Sequence, residues 1–230
     1  MTSIEGVVFD CGGTLLELDP PPPAVFLEVA TGIVGREPDA EAVRAAYRTV
    51  DYSCRQSALA VRHAGKASFF DDYNRHLCLI LGLASHYERL NPALQAAFHE
   101  RRGWRVFEDA EPALDALAAR GLRLLCVANW DANLAEVLSR AGLGRRFEAT
   151  YASADLGVEK PDGRVFDRLL EERGLAPGAL AYVGDDYAID VVAARGAGLV
   201  PVVIDRFGRY PDADCLVVGS LTELPTVLSA

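Results

Sequence analysis

Four short polar clusters interrupt an otherwise apolar chain: Asp10-Cys11-Gly12-Gly13-Thr14, Asn129 within VANWD, Glu159-Lys160-Pro161-Asp162, and Gly184-Asp185-Asp186. Between them they offer carboxylates, an ammonium, an amide and a hydroxyl. Carboxylates gathered into one place repel, so their charge has to be balanced. A hard divalent cation with oxygen ligands does this, and Mg²⁺ suits one or two carboxylates together with phosphate oxygens. An aspartate can also take a phosphoryl group and hold it until water cleaves the adduct. Singly, each residue has a plainer reading, since an Asp after a strand commonly caps a helix or forms a turn.

Lysine usage adds weight to one cluster. The chain has 21 Arg but only two Lys, Lys66 and Lys160. Arg fills basic positions by default, so Lys160 marks a place where a compact ammonium is wanted and a broad guanidinium fork does not fit. Lys66 lies in a helical stretch without such a context.

The elements that must position these residues are legible from periodicity. Val7-Val8-Phe9 reads as a buried strand that breaks into a glycine loop. Pro20 to Pro23 form a stiff spacer. From there to Arg102 the spacing of apolar residues predicts helices over Ala24–Val34, Asp39–Cys54, Ser68–Leu83 and Pro92–Arg102. Beyond Trp104 strands and helices alternate. Strands are expected at Leu122–Val127, Ala149–Ala152, Leu180–Val183, Leu199–Ile204 and Cys215–Val218. Pro112 and Pro161 open helices, and a further helix runs to Gly198. This alternation implies a parallel α/β sheet covered on both faces, a Rossmann-like core, with a helical segment inserted after the first strand. The expected division is residues 1–17 and 104–230 for the core and 18–103 for the insert. Sites in such sheets form at the carboxyl ends of the strands. The four polar clusters fall there in order, one per strand.

FDCGGTLL, VANWD, EKPD and VGDDYAID, in this order and spacing, resemble the four motifs of the haloacid dehalogenase-like hydrolases, including the helical cap after the first motif. The resemblance implies Asp10 as nucleophile, Lys160 as its charge-shielding partner and Asp185 as a Mg²⁺ ligand. The Gly12 carbonyl joins the metal shell, with Asp186 as a second carboxylate or as a helix cap. Gly13, Thr14 and Asn129 are expected at the substrate phosphoryl group. The cation and Lys160 would offset charge on the transferring group. Asp190, one turn on, is expected to hold the metal loop, and Asp131 to cap a helix.

Two positions depart from the family's phosphatases. The second Asp that protonates the leaving group is here Gly12, and general acid–base help is typically worth about 10²–10⁴-fold. The Ser or Thr that donates to the phosphoryl group is here Ala128, next to which the Asn129 amide is a partial substitute. The expected function is therefore a Mg²⁺-dependent phosphatase of low or narrow activity on a small phosphorylated metabolite. The alternatives are a non-catalytic binding or scaffold protein on the same fold and a metal-independent 2-haloacid dehalogenase.

A net charge of −10 makes nucleic acid and anionic membranes poor partners. No apolar run nears the ~20 residues of a membrane span, and the first residues lack a secretory pattern. The five cysteines are odd in number and widely spaced, which fits reduced thiols in a cytoplasmic protein, and the expected assembly is a monomer or homodimer. His63, His76, His86 and His99 lack ligand spacing. Trp104 and Trp130 read as packing residues, and Tyr52, Arg55 and Arg62 are insert residues that could face a substrate.

Overall fold

The computed structural model describes residues 3–61, 66–100 and 103–229, with side chains left out for 51–70 and 98–102. The side chains of Tyr52, Cys54, Arg55, Arg62, His63, Lys66 and His99 thus lie outside the described residues. The chain divides into two compact units, Met1–Glu17 with Trp104–Ala230, and Leu18–Gly103.

In chain order the elements are β1 (Gly6–Phe9), β2 (Leu16–Asp19), α1 (Pro22–Val34), α2 (Ala40–Val61), α3 (Lys66–Ile80), α4 (Tyr87–Glu100) and β3 (Gly103–Val106). They continue with α5 (Ala110–Ala119), β4 (Arg123–Ala128), α6 (Leu134–Arg140), β5 (Ala149–Ala152), α7 (Ser153–Leu156) and α8 (Asp167–Arg173). The last are β6 (Leu180–Gly184), α9 (Val192–Gly196), β7 (Val200–Ile204), β8 (Leu216–Val218) and α10 (Leu224–Val227).

The first unit is built on a six-stranded sheet ordered β5-β4-β1-β6-β7-β8, every pair parallel. β1 is central, with Val8 level with Leu125 of β4 and with Tyr182 of β6. All four of its residues are buried, as a central parallel strand requires. Val7 and Phe9 pack on one face with Leu114, Leu117 and Ile204, while Val8 packs on the other with Phe166, Leu169 and Tyr182. The connections leave β4 and β6 on opposite sides of β1, which opens a crevice at the carboxyl end of that strand.

The second unit packs α1 to α4 around Phe26, Tyr47, Leu77, Leu90 and Leu94. Asn91 accepts from Asn74 at 2.8 Å and donates to Asp71 at 2.6 Å, satisfying the polar groups beside this core. Among the described residues no helix is long and apolar enough to cross a membrane.

The parallel α/β class is as expected, and several boundaries differ. Pro22 and Pro23 belong to the first turn of α1 and are not spacer, because proline's fixed φ suits a position whose N–H has no helical partner. α4 starts at Tyr87 and holds Pro92 in its interior. α5 begins at Ala110, two residues before Pro112. After Pro161 a 3₁₀ turn over Gly163–Phe166 comes first, capped by the Asp162 carboxylate, and α8 follows. The helix expected to run to Gly198 is a π turn over Tyr187–Val191 continuing into α9. β2 and β3 form a separate two-stranded sheet; four residues each leave too little periodicity to read. Asp131 does not cap by its side chain; its carbonyl accepts the Leu134 N–H at 3.2 Å.

Candidate active site

Asp10 directly follows β1, its backbone N–H donating to the Val183 carbonyl of β6 at 2.8 Å. Its carboxylate is buried and meets the Lys160 ammonium. Lys160 Nζ donates to Asp10 Oδ1 at 2.6 Å, to Asp190 Oδ1 at 2.7 Å and to the Tyr182 hydroxyl at 2.6 Å. These partners match the three hydrogens of an ammonium. Lys160 is only 1% exposed, so its charge is satisfied by neighbours and not by water.

Asn129 positions that lysine. Its Nδ2 donates to the Lys160 carbonyl at 2.9 Å and its Oδ1 accepts the Lys160 N–H at 2.8 Å. The amide expected at the phosphoryl group is thus turned to the backbone of the β5–α8 connection. The reason is geometric, since a planar amide matches the donor and acceptor of one residue's main chain as a pair.

Asp190 serves two neighbours. Oδ1 takes Lys160, Oδ2 accepts the Asp186 N–H at 2.9 Å, and the Asp190 N–H donates back to the Asp186 carbonyl at 2.7 Å. A Cβ on Gly184 would come within 2.3 Å of the Asp190 carboxyl carbon, so glycine is what admits Asp190 to the cluster. Asp186 turns its carboxylate to the N–H groups of Ala188 and Ile189, at 2.9 and 3.2 Å, the capping alternative of its two expected roles. The carboxylates whose oxygens lie within 4.8 Å of one another are those of Asp10, Asp185 and Asp190.

Gly13 holds φ +84°, and a Cβ there would fall 2.6 Å from the Asp185 carboxyl carbon. Its described role is therefore to let the β1 loop approach Asp185. Thr14 is fully buried, with no hydrogen-bond partner for its hydroxyl, while its carbonyl accepts from Arg206 at 2.9 Å. Gly12 sits between Gly13 N–H to Leu16 carbonyl (2.7 Å) and Leu16 N–H to Cys11 carbonyl (2.9 Å), neither of which uses its own carbonyl. Ala128 is buried and offers no side-chain donor.

Three participants were not singled out from the sequence. Tyr182 looks like an ordinary strand residue, and only the fold aims its hydroxyl at Lys160. Arg209, buried to 7% side-chain exposure, donates to the Asp185 carbonyl at 3.0 Å and lies 3.5 Å from its carboxylate. Asp205 accepts the N–H groups of Arg209 and Tyr210 at 2.8 and 2.7 Å, folding that loop. It follows β7 directly, so the strand-end signal that marks the other clusters would have found it.

Electrostatics follow from burial. Desolvation pushes Asp10 up to about 7 against the pull of Lys160, with Asp190 and Asp185 adding to the rise. Burial lowers Lys160, but Asp10 and Asp190 outweigh it and leave the ammonium above the ordinary lysine range. Hydrogen bonding with Cys126 and burial keep Cys11 a thiol, an inert neighbour to Asp10. Three carboxylates against Lys160 and the flanking Arg209 leave an acidic crevice lined with oxygens, a donor set that fits a hard cation. Asp190 is committed to Lys160 and the Asp186 backbone, which leaves Asp10 and Asp185 as the carboxylates of this cluster able to hold one.

A family model described as a haloacid dehalogenase-like hydrolase matches residues 4–198. A phosphoserine phosphatase of Thermus thermophilus is 38% identical over 141 residues, 60% of this chain and 57% of that protein. The chain thus aligns with little more than half of this relative's length. Haloacid dehalogenase-like hydrolase domain-containing protein 3 of Mus musculus is 28% identical over 198 residues, 84% of this chain and 78% of that protein. The crystal structure of a predicted phosphoglycolate phosphatase from Haemophilus somnus shares the fold, with a TM-score of 0.64 at 18% identity over 99% of each chain.

Proposed function

The chain belongs to the haloacid dehalogenase-like hydrolases, and from that premise we propose that it is a Mg²⁺-dependent phosphatase acting through Asp10. The observation that carries this reading is the 2.6 Å contact of Lys160 Nζ with Asp10 Oδ1 inside the carboxylate cluster. One oxygen of Asp10 is held by the ammonium, which orients Oδ2 as the attacking atom. A bond forms between Oδ2 and phosphorus as the bond from phosphorus to the leaving oxygen breaks. The leaving group departs with the electron pair. Water then attacks the aspartyl-phosphate, releasing phosphate and restoring the carboxylate.

Lys160 offsets negative charge gathered around the phosphoryl group, and Asn129 and Asp190 keep it in place. Asp10, Asp185 and the Gly12 carbonyl would hold Mg²⁺, which when bound supplies charge neutralisation for the transferring group. Residues 18–103 serve as the cap, and the substrate is a small phosphorylated metabolite. The relative named phosphoserine phosphatase supports a phosphoryl substrate. Activity is low or narrow, because Gly12 and Ala128 carry no functional side chain. The thiols of Cys11, Cys78, Cys126 and Cys215 are free, which supports a cytoplasmic setting.

The test is phosphate release from p-nitrophenyl phosphate and a metabolite panel. Release should require Mg²⁺, stop with EDTA and vanish in Asp10→Asn. Beryllofluoride should form an adduct on Asp10. Chloride release from 2-chloropropionate in EDTA, without phosphate release, would transfer the assignment to dehalogenation.

A further inference from the structure

Among the described residues, the ammonium against Asp10 and the phenol behind it are both committed. Lys160 spends its hydrogens on Asp10, Asp190 and Tyr182, and the Tyr182 hydroxyl donates to the Val127 carbonyl at 2.9 Å. Both residues are at most 1% exposed, out of reach of a departing group. Gly12, half-buried two residues past Asp10, has no side chain, and the space beside it is not vacant. A Cβ there would meet Trp130 Cζ3 at 3.1 Å and the Trp104 ring at 3.8 Å.

The two indoles form one surface, their centroids 4.7 Å apart and their planes at 50°. Trp130 is pinned through its backbone, whose N–H donates to Ser153 Oγ at 3.1 Å and whose carbonyl accepts the Ala154 N–H at 3.1 Å. Both rings are half-buried and so keep part of their faces in contact with solvent. A wall of this kind cannot protonate a leaving oxygen, but it can stack on a flat, polarisable group.

We propose that the site selects phosphoryl compounds whose leaving group departs unprotonated and is planar, the aryl phosphates first, with that group resting on Trp104 and Trp130. This rests on the phosphotransfer assigned to Asp10. In the phosphoryl-transfer step phosphorus passes to Asp10 Oδ2, and the aryl oxygen leaves as a phenolate that takes its proton from bulk water.

The experiment compares kcat/KM for aryl phosphates of graded phenol acidity with glycerol phosphate and phosphoserine, and with acetyl phosphate as a non-aromatic good leaving group. Aryl phosphates of acidic phenols should exceed the alkyl phosphates by at least about 10²–10⁴-fold, the contribution a missing general acid would make. Trp130→Leu should raise KM for aryl phosphates by roughly 2- to 10-fold, with Trp130→Phe recovering most of it. A second arm, Gly12→Asp combined with Trp130→Ala, makes room for a proton donor and should flatten the dependence on leaving-group acidity. Alkyl phosphates turned over as fast as aryl ones, with Asp10→Asn inactive, would overturn the selectivity while leaving the phosphotransfer intact. Acetyl phosphate matching the aryl series, with Trp130→Leu unchanged in KM, would overturn the stacking. No release from any of these compounds would remove both.

Discussion

The Lys160 ammonium donates to the Tyr182 hydroxyl at 2.6 Å, and that hydroxyl donates onward to the Val127 carbonyl at 2.9 Å. A tyrosine on β6 thus joins the lysine of the β5–α8 connection to the backbone of β4, inside the sheet's own core. Tyr182→Phe keeps the ring and removes the link, so that the ammonium and the carbonyl each lose one hydrogen bond in a buried place. The expected cost is roughly 1–3 kcal/mol of stability, read as a lowered urea midpoint at constant slope. A midpoint equal to that of the parent protein would show that the hydroxyl carries no structural bond.

Gly13 and Gly174 separate space from backbone strain. Both hold positive φ, +84° and +61°, but only Gly13 has a neighbour where its Cβ would be, the Asp185 carboxylate at 2.6 Å. Gly174→Ala should cost about 1–2 kcal/mol from conformation alone. Gly13→Ala should cost more and also displace Asp185, seen as a higher Mg²⁺ concentration needed for half-maximal activity. Equal effects of the two substitutions on stability and on metal requirement would contradict the close approach.

Asn129→Ala removes both bonds to the Lys160 backbone while leaving its side-chain partners untouched. Loss of roughly tenfold in kcat, about 1.4 kcal/mol, is expected with little change in KM, because the lysine is repositioned and no substrate contact is lost. Asn129→Asp keeps an acceptor for the N–H and should recover part of the loss. A change confined to KM would instead return Asn129 to the substrate.

Asp109 contributes to stability in a way that depends on pH. Burial tends to raise its pKa, but hydrogen bonds from Arg206, the Leu221 N–H and Ser220, with the Arg206 charge, hold it below the ordinary carboxylate range. A depressed folded-state value means stabilisation that is complete above the unfolded value of about 3.9 and is lost as pH falls through the folded one. Asp109→Asn should therefore be less stable by roughly 1–3 kcal/mol at pH 7, with the gap closing below about pH 4. Denaturant midpoints of both proteins across that range check the sign; a gap that widened in acid would refute it.

The sequence by itself determined the class of fold, because hydrophobic period is a local property. Val7-Val8-Phe9, β-branched and aromatic before a glycine loop, reads as a doubly buried strand, and a polar residue directly after such a strand emerges at its carboxyl end. That is why Asp10, Asn129 and Asp185 could be named as one candidate group, with Lys160, which follows β5 beyond α7, added by its place in the order of clusters. Their partnerships were decided by tertiary structure alone, since Lys160 and Asp10 are separated by 150 positions and no local pattern records that contact. Whether Asp186 or Asp190 faced the cluster turned on the π turn over Tyr187–Val191, which sends the first to a helix cap and the second to the lysine. Tyr182 and the indole beside Gly12 stayed hidden for the same reason. A side chain's chemistry is written in its residue type, but its hydrogen-bond partner is fixed by packing between elements distant in the chain.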